Sequence, residues 1–498
     1  MLGQFKFIER VFRMNNIARI SKQDIIEGVL EEFAKLAEIP RPSGHEKAVS
    51  DYLYKLFSNM GCQVEQDKVN NIIADMPATE DCQEKPLVVL QAHMDMVCVA
   101  EDGVDYDPMK DPIKLVREDD KLYADGTSLG ADDGMGIAII VYIMKNLQSH
   151  GPIRVIITVD EEAGMTGSIN LTDKHFEGVK YLINCDSEDW DLLTVGSAGS
   201  GDIEFSKSYE LASAVKGTAY SLKLSGLKGG HSGEEINCGA ANVLKAMAIC
   251  LDGIRSKGQG FQLVSFNGGR AKNVIPSVAE SVFYMDMESE ALQKLVDEEY
   301  ARFMNHHGDI EEKASFVLKK LDDSVEAMEK EHGDGLIDLL LILSNGVSAM
   351  SQLCPGLVES SANLGIVTTK EGTMSVQYMP RSSREESIKE YYAMAEALGR
   401  ATGFQVKLGT MFPSWAERKN SKLVDIMSEV FQKQNQQPMR IATIHAGLEC
   451  SWHLQHNPAM DVVSIGTNNN DIHSPKETLE LHTIPPQVLL IAETLVRI

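Results

Sequence analysis

Basic residues are scarce in this chain: 47 lysines and arginines stand against 73 aspartates and glutamates over 498 residues, a formal net charge of -26. Nucleic acid and anionic membrane surfaces both call for a basic face, so neither is expected as a partner. Cysteine is sparse too, and the eight present (Cys62, Cys82, Cys98, Cys185, Cys238, Cys250, Cys354, Cys450) include no C-x-x-C pair. A chain this long does not need disulfide staples, which points to reduced thiols and a cytoplasmic protein. Long hydrophobic runs are missing: the longest, Gly136 to Met144, is far short of the roughly 18 residues that cross a bilayer. No internal repeat and no low-complexity tract is found. What remains is 43% hydrophobic and 24% charged, enough for large cores and more than one domain.

The first 20 residues depart from the acidic trend, with Lys6, Arg10, Arg13 and Arg19 against the single acid Glu9. An organelle-targeting helix has this pattern but is richer in serine. An additional or frayed N-terminal helix, or an upstream start with Met14 as the alternative, is the preferred reading of the segment.

One stretch organises the rest. Leu129-Gly130-Ala131-Asp132-Asp133-Gly134-Met135-Gly136 sets two adjacent carboxylates on a glycine-flanked turn ahead of the apolar run Ile137 to Met144, which reads as a buried helix. Two acids held together repel one another, so the turn calls for a cation or a shifted proton. Upstream, Ser43-Gly44-His45-Glu46 has the spacing of a capping box for a surface helix ending near Gly61. Strand-like runs follow at Leu87 to Met96, Arg154 to Val159 and Tyr181 to Cys185, with the helix from the acidic turn between the first two. Strand, helix, strand in that order predicts an α/β domain with a mostly parallel central sheet flanked by helices, its ligand site at the carboxyl ends of the strands.

Those ends carry the chemistry. His93 and Asp95 close the first strand on one side of it, and a carboxylate beside a histidine is the usual means of holding its second nitrogen. Asp160-Glu161-Glu162 closes the second strand, where one acid can bind metal while its neighbour faces the water to be activated. Asp186 closes the third, and His473 sits in a late loop. Hard carboxylates with two imidazoles suit Zn2+, with Mn2+ or Co2+ as substitutes. After Gly196-Ser197-Ala198-Gly199-Ser200-Gly201 the pattern changes to long strand-like and helical runs, an α+β insertion of about 200 residues, a usual domain size. The expected division is 1–198 with 399–498 as the catalytic domain and 199–398 as the insertion.

His93-x-Asp95, Gly130-Ala131-Asp132-Asp133-Gly134, Asp160-Glu161-Glu162-Ala163-Gly164-Met165, Asn184-Cys185-Asp186-Ser187-Glu188, Gly229-Gly230-His231-Ser232-Gly233, His445-Ala446-Gly447-Leu448-Glu449-Cys450 and His473-Ser474-Pro475 together resemble the di-zinc metallopeptidases of the aminoacylase and carboxypeptidase G type, in their aminoacyl-histidine dipeptidase branch. The resemblance runs from about Ile25 to the C-terminus. It implies two zinc ions bridged by Asp132, with His93 and Asp186 completing one site and Glu162 and His473 the other. It further implies a cis peptide after Asp132, Asp95 orienting His93, and Glu161 as general base for a metal-bridging water. The insertion becomes a lid and dimerisation domain of a homodimer, in which His231 stabilises the oxyanion while Asn273 and Arg381 hold the substrate backbone and its carboxylate. The activity so implied is hydrolysis of unblocked dipeptides, Xaa-His among them. An N-acyl amino acid deacylase or a carboxypeptidase of the same superfamily is the alternative, and a non-catalytic metal-binding scaffold a further one. Three departures flank the site: Ser451-Trp452-His453 replaces a glycine and short apolar stretch, the loop Gly466-Thr467-Asn468-Asn469-Asn470-Asp471 before His473 is more polar than usual, and Lys476 stands in place of an acid.

Overall fold

The computed structural model describes residues 17–212, 216–322, 326–352 and 354–498. The basic segment through Met14, with its targeting reading, lies outside the described residues. The chain divides into two compact units, one of Met1–Gly196, Glu417–Thr443 and Leu448–Ile498, the other of Ser197–Ala416 and Ile444–Gly447.

The first unit is built on an eight-stranded sheet of β1 (Gln63–Gln66), β2 (Ile72–Met76), β3 (Leu87–His93), β4 (Ile153–Thr158), β5 (Val179–Ser187), β6 (Leu192–Ser197), β7 (Arg440–Ile444) and β8 (Asp461–Gly466), in the order β1-β2-β4-β3-β5-β8-β6-β7. The four central strands, β4, β3, β5 and β8, run parallel. Antiparallel pairing appears on both flanks, between β1, β2 and β4 and between β8 and β6. Parallel strands are covered on both faces, which is why β3 and β8 read as nearly continuous apolar runs and are buried along almost their whole length. Because β3 lies between β4 and β5, the ends of the three strands that carry acids and histidines in the sequence are neighbours in space.

Helices α1 (Lys22–Ala37), α2 (Lys47–Asn59), α3 (Ala131–Asn146), α4 (Lys422–Asn435), α5 (Cys450–His456) and α6 (Ile484–Arg497) belong to this unit. Helix α3 is apolar around its whole circumference, and every residue from Gly134 to Met144 is buried. That is the expectation for a helix enclosed by sheet and helices. The surface helix expected after the capping box is α2, with Val49, Leu53 and Phe57 buried on one face. Its cap differs from the sequence expectation: the helix begins at Lys47, its N-cap Glu46 makes no side-chain cap bond, and the Ser43 hydroxyl instead donates to Asp95 Oδ2 at 2.8 Å. Serine and glutamate three apart satisfy the capping pattern, but a buried carboxylate nearby in the fold claims the hydroxyl.

Among the described residues, the second unit contains a ten-stranded sheet whose pairs are antiparallel. Its longest strands, Val358–Lys370 and Thr373–Ser382, pair along most of their length. Helices Val243–Lys257, Ser289–His307 and Lys330–Ile342 pack on it through a separate apolar core. None of the eight cysteines is in a disulfide. No helix among the described residues is long and apolar enough to cross a membrane.

Candidate metal centre

Asp132 sits on the first turn of α3, where Gly130 takes a left-handed conformation (φ 69°) and Asp132 and Asp133 keep non-helical angles. The peptide bond joining the two acids is cis. A helix start exposes N–H groups without partners. Glu477 meets that need, accepting from the backbone N–H of Leu129 at 2.8 Å and of Gly130 and Ala131 at 2.9 Å. Asp133 is turned inward and buried: its Oδ2 accepts from His93 N at 3.2 Å and its Oδ1 from Gly136 N at 3.1 Å. It fixes backbone, whereas Asp132 presents its carboxylate to two histidines.

Those histidines come from opposite ends of the sequence. Nε2 of His93, at the end of β3, lies 3.1 Å from Asp132 Oδ1 and 3.3 Å from Asp186 Oδ1. Nε2 of His473, in the loop beyond β8, lies 3.1 Å from Asp132 Oδ2 and 2.9 Å from Glu162 Oε2. Each oxygen of Asp132 therefore faces a different imidazole. His93, Asp132 and Asp186 form one group and Asp132, Glu162 and His473 another, with ligand atoms within 4.8 Å of one another in each. Neutral imidazole and carboxylate in clusters of this size are the donors divalent cations take, and one shared carboxylate between two such groups fits a pair of ions. The donor set therefore suits a dinuclear centre.

The electrostatics agree with that fit. Burial opposes a charge on His93, but Asp186, Asp132 and Asp95 raise its pKa well above the ordinary value. The Asp132 and Glu162 carboxylates push His473 up to about 11. Burial works against ionisation of Asp132, yet the two imidazoles hold its pKa far below the usual carboxylate range. Negative charge is concentrated here to a degree that favours cations.

Asp95 braces the centre. Its Oδ1 lies 3.3 Å from His93 Nδ1 and accepts from Glu161 N at 3.0 Å, while Oδ2 accepts from Glu162 N at 3.2 Å. One buried carboxylate thus orients the ring on β3 and the turn after β4. Glu161 opens the short helix Glu161–Gly164. Burial, opposed by His93 and reinforced by Asp186, Glu449 and Glu162, pushes the Glu161 carboxyl well above its ordinary pKa. Two supports went unnoticed in the sequence. Glu477 is one; the other is Arg41, 2% exposed, whose Nη1 donates to the carbonyls of Met94 and Asp95 at 3.0 Å and whose Nη2 donates to that of Gly130. Glu477 follows His473 by four residues and could have been suspected from that spacing. Arg41 offers no local signal.

The remaining expected site residues belong to the second unit. His231 lies on the two-residue strand Gly230–His231, paired with Val274 beside Asn273. Asn363 Nδ2 donates to the carbonyls of Lys272 and Val274, at 2.9 and 2.8 Å, and so holds the backbone on either side of Asn273. Arg381 is 7% exposed and directly opposite Ser361 on the neighbouring strand, and its Nε is buried without a hydrogen-bond acceptor. Ser361 Oγ is 2.7 Å from Nε2 of His445.

Two acid and imidazole groups sharing one aspartate, at the carboxyl edge of an α/β sheet, define the class: a dinuclear metallohydrolase. Residues 89–497 match Peptidase family M20/M25/M40, and the chain belongs to that family. It is 32% identical over 485 residues to the cytosol non-specific dipeptidase of Escherichia coli strain K12, a span covering 97% of this chain and 99% of that protein. Its structure is similar to that of the aminoacylhistidine dipeptidase of Vibrio alginolyticus, with a TM-score of 0.88 at 31% identity over 95% of this chain and 96% of the other. The aminopeptidase PepT of Bacillus cereus shares the fold, with a TM-score of 0.55 at 16% identity over 95% of this chain and 98% of the other.

Proposed function

We propose that this chain is a cytoplasmic, zinc-dependent dipeptidase acting on unblocked dipeptides, Xaa-His among them. The observation that carries the reading is the shared Asp132, one oxygen toward His93 and the other toward His473. His93, Asp132 and Asp186 would hold one ion, and Asp132, Glu162 and His473 the other. Zinc held by these residues would supply Lewis acidity, easing deprotonation of the attacking water and polarising the scissile carbonyl. Glu161, outside both groups and basic through burial, takes a proton from the attacking water and passes it to the leaving amine nitrogen. Asp95 keeps the His93 ring oriented through Nδ1. His231 stabilises the oxyanion, Asn273 binds the substrate backbone, and the guanidinium of Arg381, whose buried Nε has no acceptor, binds the terminal carboxylate. The second unit serves as lid and as the contact surface of a homodimer. The likeness to the E. coli dipeptidase over nearly the full length of both chains supports this substrate class over an acylated amino acid.

Zinc-restored protein is expected to release both amino acids from a panel of free dipeptides and to leave N-acetyl amino acids intact. The opposite preference would reassign the chain as a deacylase. Glu161→Gln should lower turnover by about 10²–10⁴-fold while metal content stays at the wild-type level.

A further inference from the structure

Beneath the two metal groups lies a layer of polar side chains with no contact to solvent. Gln91, Thr158, Ser168, Asn184, Glu449 and His453 are each 0% exposed. Glu449, at the start of α5, is their hub. Its Oε2 accepts from Gln91 Nε2 at 2.5 Å and Thr158 Oγ1 at 2.7 Å, and its Oε1 accepts from Ser168 Oγ at 2.6 Å. Gln91 Oε1 in turn accepts from Asn184 Nδ2 at 2.6 Å, and Asn184 Oδ1 from the backbone N–H of Asp186 at 3.3 Å. Nε2 of His453, one turn along α5, is 3.0 Å from Ser168 Oγ.

The placement of these groups is informative. Gln91 precedes His93 by two residues on β3, and Asn184 precedes Asp186 by two on β5. Period-two alternation therefore puts each on the same sheet face as the acid or histidine above it. Gln91 and Asn184 stand abreast in the parallel register. Thr158 ends β4, three residues before Glu161. A single carboxylate from the C-terminal section thus ties together the three adjacent strands β4, β3 and β5 directly below the centre. A fully buried carboxylate is costly unless its oxygens are satisfied, and here three side-chain donors satisfy them. Burial pushes its pKa above the ordinary value, with His93 and the three donors opposing.

We propose that Glu449 is a positioning residue for the His93, Asp132 and Asp186 group, fixing the spacing of His93 on β3 and Asp186 on β5 through Gln91 and Asn184. The inference rests on the dinuclear reading above. Its hold on the other group is weaker: it comes within reach of Glu162 only through Thr158, while His473 is fixed by the loop that Glu477 anchors.

The test is a zinc titration of the metal-stripped full-length protein in competition with a chromophoric chelator, alongside circular dichroism of the metal-free state. Wild-type protein should take up two equivalents. Glu449→Gln should keep one at wild-type affinity and weaken the other by about 10- to 100-fold, the effect usual for groups that orient metal ligands. The weakened equivalent should be the one already lost in Asp186→Asn, so that combining the two changes leaves the remaining equivalent as it is in Asp186→Asn alone. Gln91→Met, which cuts the link from Glu449 to β3 and β5 at similar volume, should weaken the same equivalent. Equal weakening of both equivalents, or none in either variant, would overturn the inference. Should Glu449→Gln not fold, Gln91→Met decides, and an unchanged titration rejects the proposal. Wild-type protein that takes up no zinc overturns the dinuclear reading together with this inference, whereas two wild-type equivalents with unchanged variants overturn this inference alone.

Discussion

Asp132 and Asp133 are adjacent and both acidic, yet their neighbours assign them different work. Asp132 offers one oxygen to each of two imidazoles, whereas both oxygens of Asp133 accept backbone N–H groups. Asp132→Ala is accordingly expected to lose both metal equivalents, measured by elemental analysis after dialysis. Asp133→Asn should retain both ions but lose about 1–3 kcal/mol of stability in urea unfolding, because an amide cannot accept at both ends. Two equivalents in the first variant and none in the second would reverse the assignment. The sequence alone offered the pair only as two acids needing a cation, and the resemblance, not the spacing, singled out Asp132. Arg41 was invisible for a physical reason: it acts on backbone groups far away in the chain, and a single buried side chain leaves no periodic trace, whereas Glu477, which also acts at long range, had its spacing from His473 as a hint.

At the scale of elements, strands and helices were legible where burial imposes a pattern. The all-apolar α3 and the strands β3, β4 and β5 could be read because parallel strands and enclosed helices need continuous apolar runs. The capping box before α2 was misread because spacing cannot reveal that Asp95 competes for Ser43. Glu477 closes the start of α3 from a loop that also carries His473. Glu477→Gln should leave an N–H group of that turn without a good acceptor, costing about 1–3 kcal/mol in unfolding and lowering the affinity of the His473 group for zinc. Wild-type stability and affinity in that variant would show that water caps the helix equally well.

Helix α5 makes a pH prediction. Burial lowers the pKa of His453 from 6.5 to about 3. The folded state therefore favours the neutral ring, and its contribution to stability is complete above pH 6.5. As the pH falls from 6.5 toward 3 the unfolded chain takes up a proton that the folded chain refuses, and that stability is lost, by about 2 kcal/mol at pH 5. His453→Gln should show a smaller fall in melting temperature than wild type between pH 7.5 and pH 5. An identical fall in both would mean that other groups govern the acid sensitivity.

For the whole molecule, the acidic excess disfavours partners that need a basic surface and is compatible with a small-molecule hydrolase, while the residues named as ligands are split between the N-terminal section and His473 near the end of the chain. The return of the chain is explained by β8, which lies beside β5 in the same sheet and delivers the His473 loop to Asp132. The proposed homodimer predicts a particle of twice the chain mass in light scattering, and a monomer would remove the dimeric part of the reading without touching the metal centre. Hydrolysis of unblocked dipeptides at the proposed centre around Asp132 is read from amino acid release from a free dipeptide before chelation, after chelation, and after zinc is restored. Release that disappears with the chelator and returns with zinc is the predicted result; release that persists unchanged in the chelated protein, or none under any of the three conditions across a dipeptide panel, would contradict it.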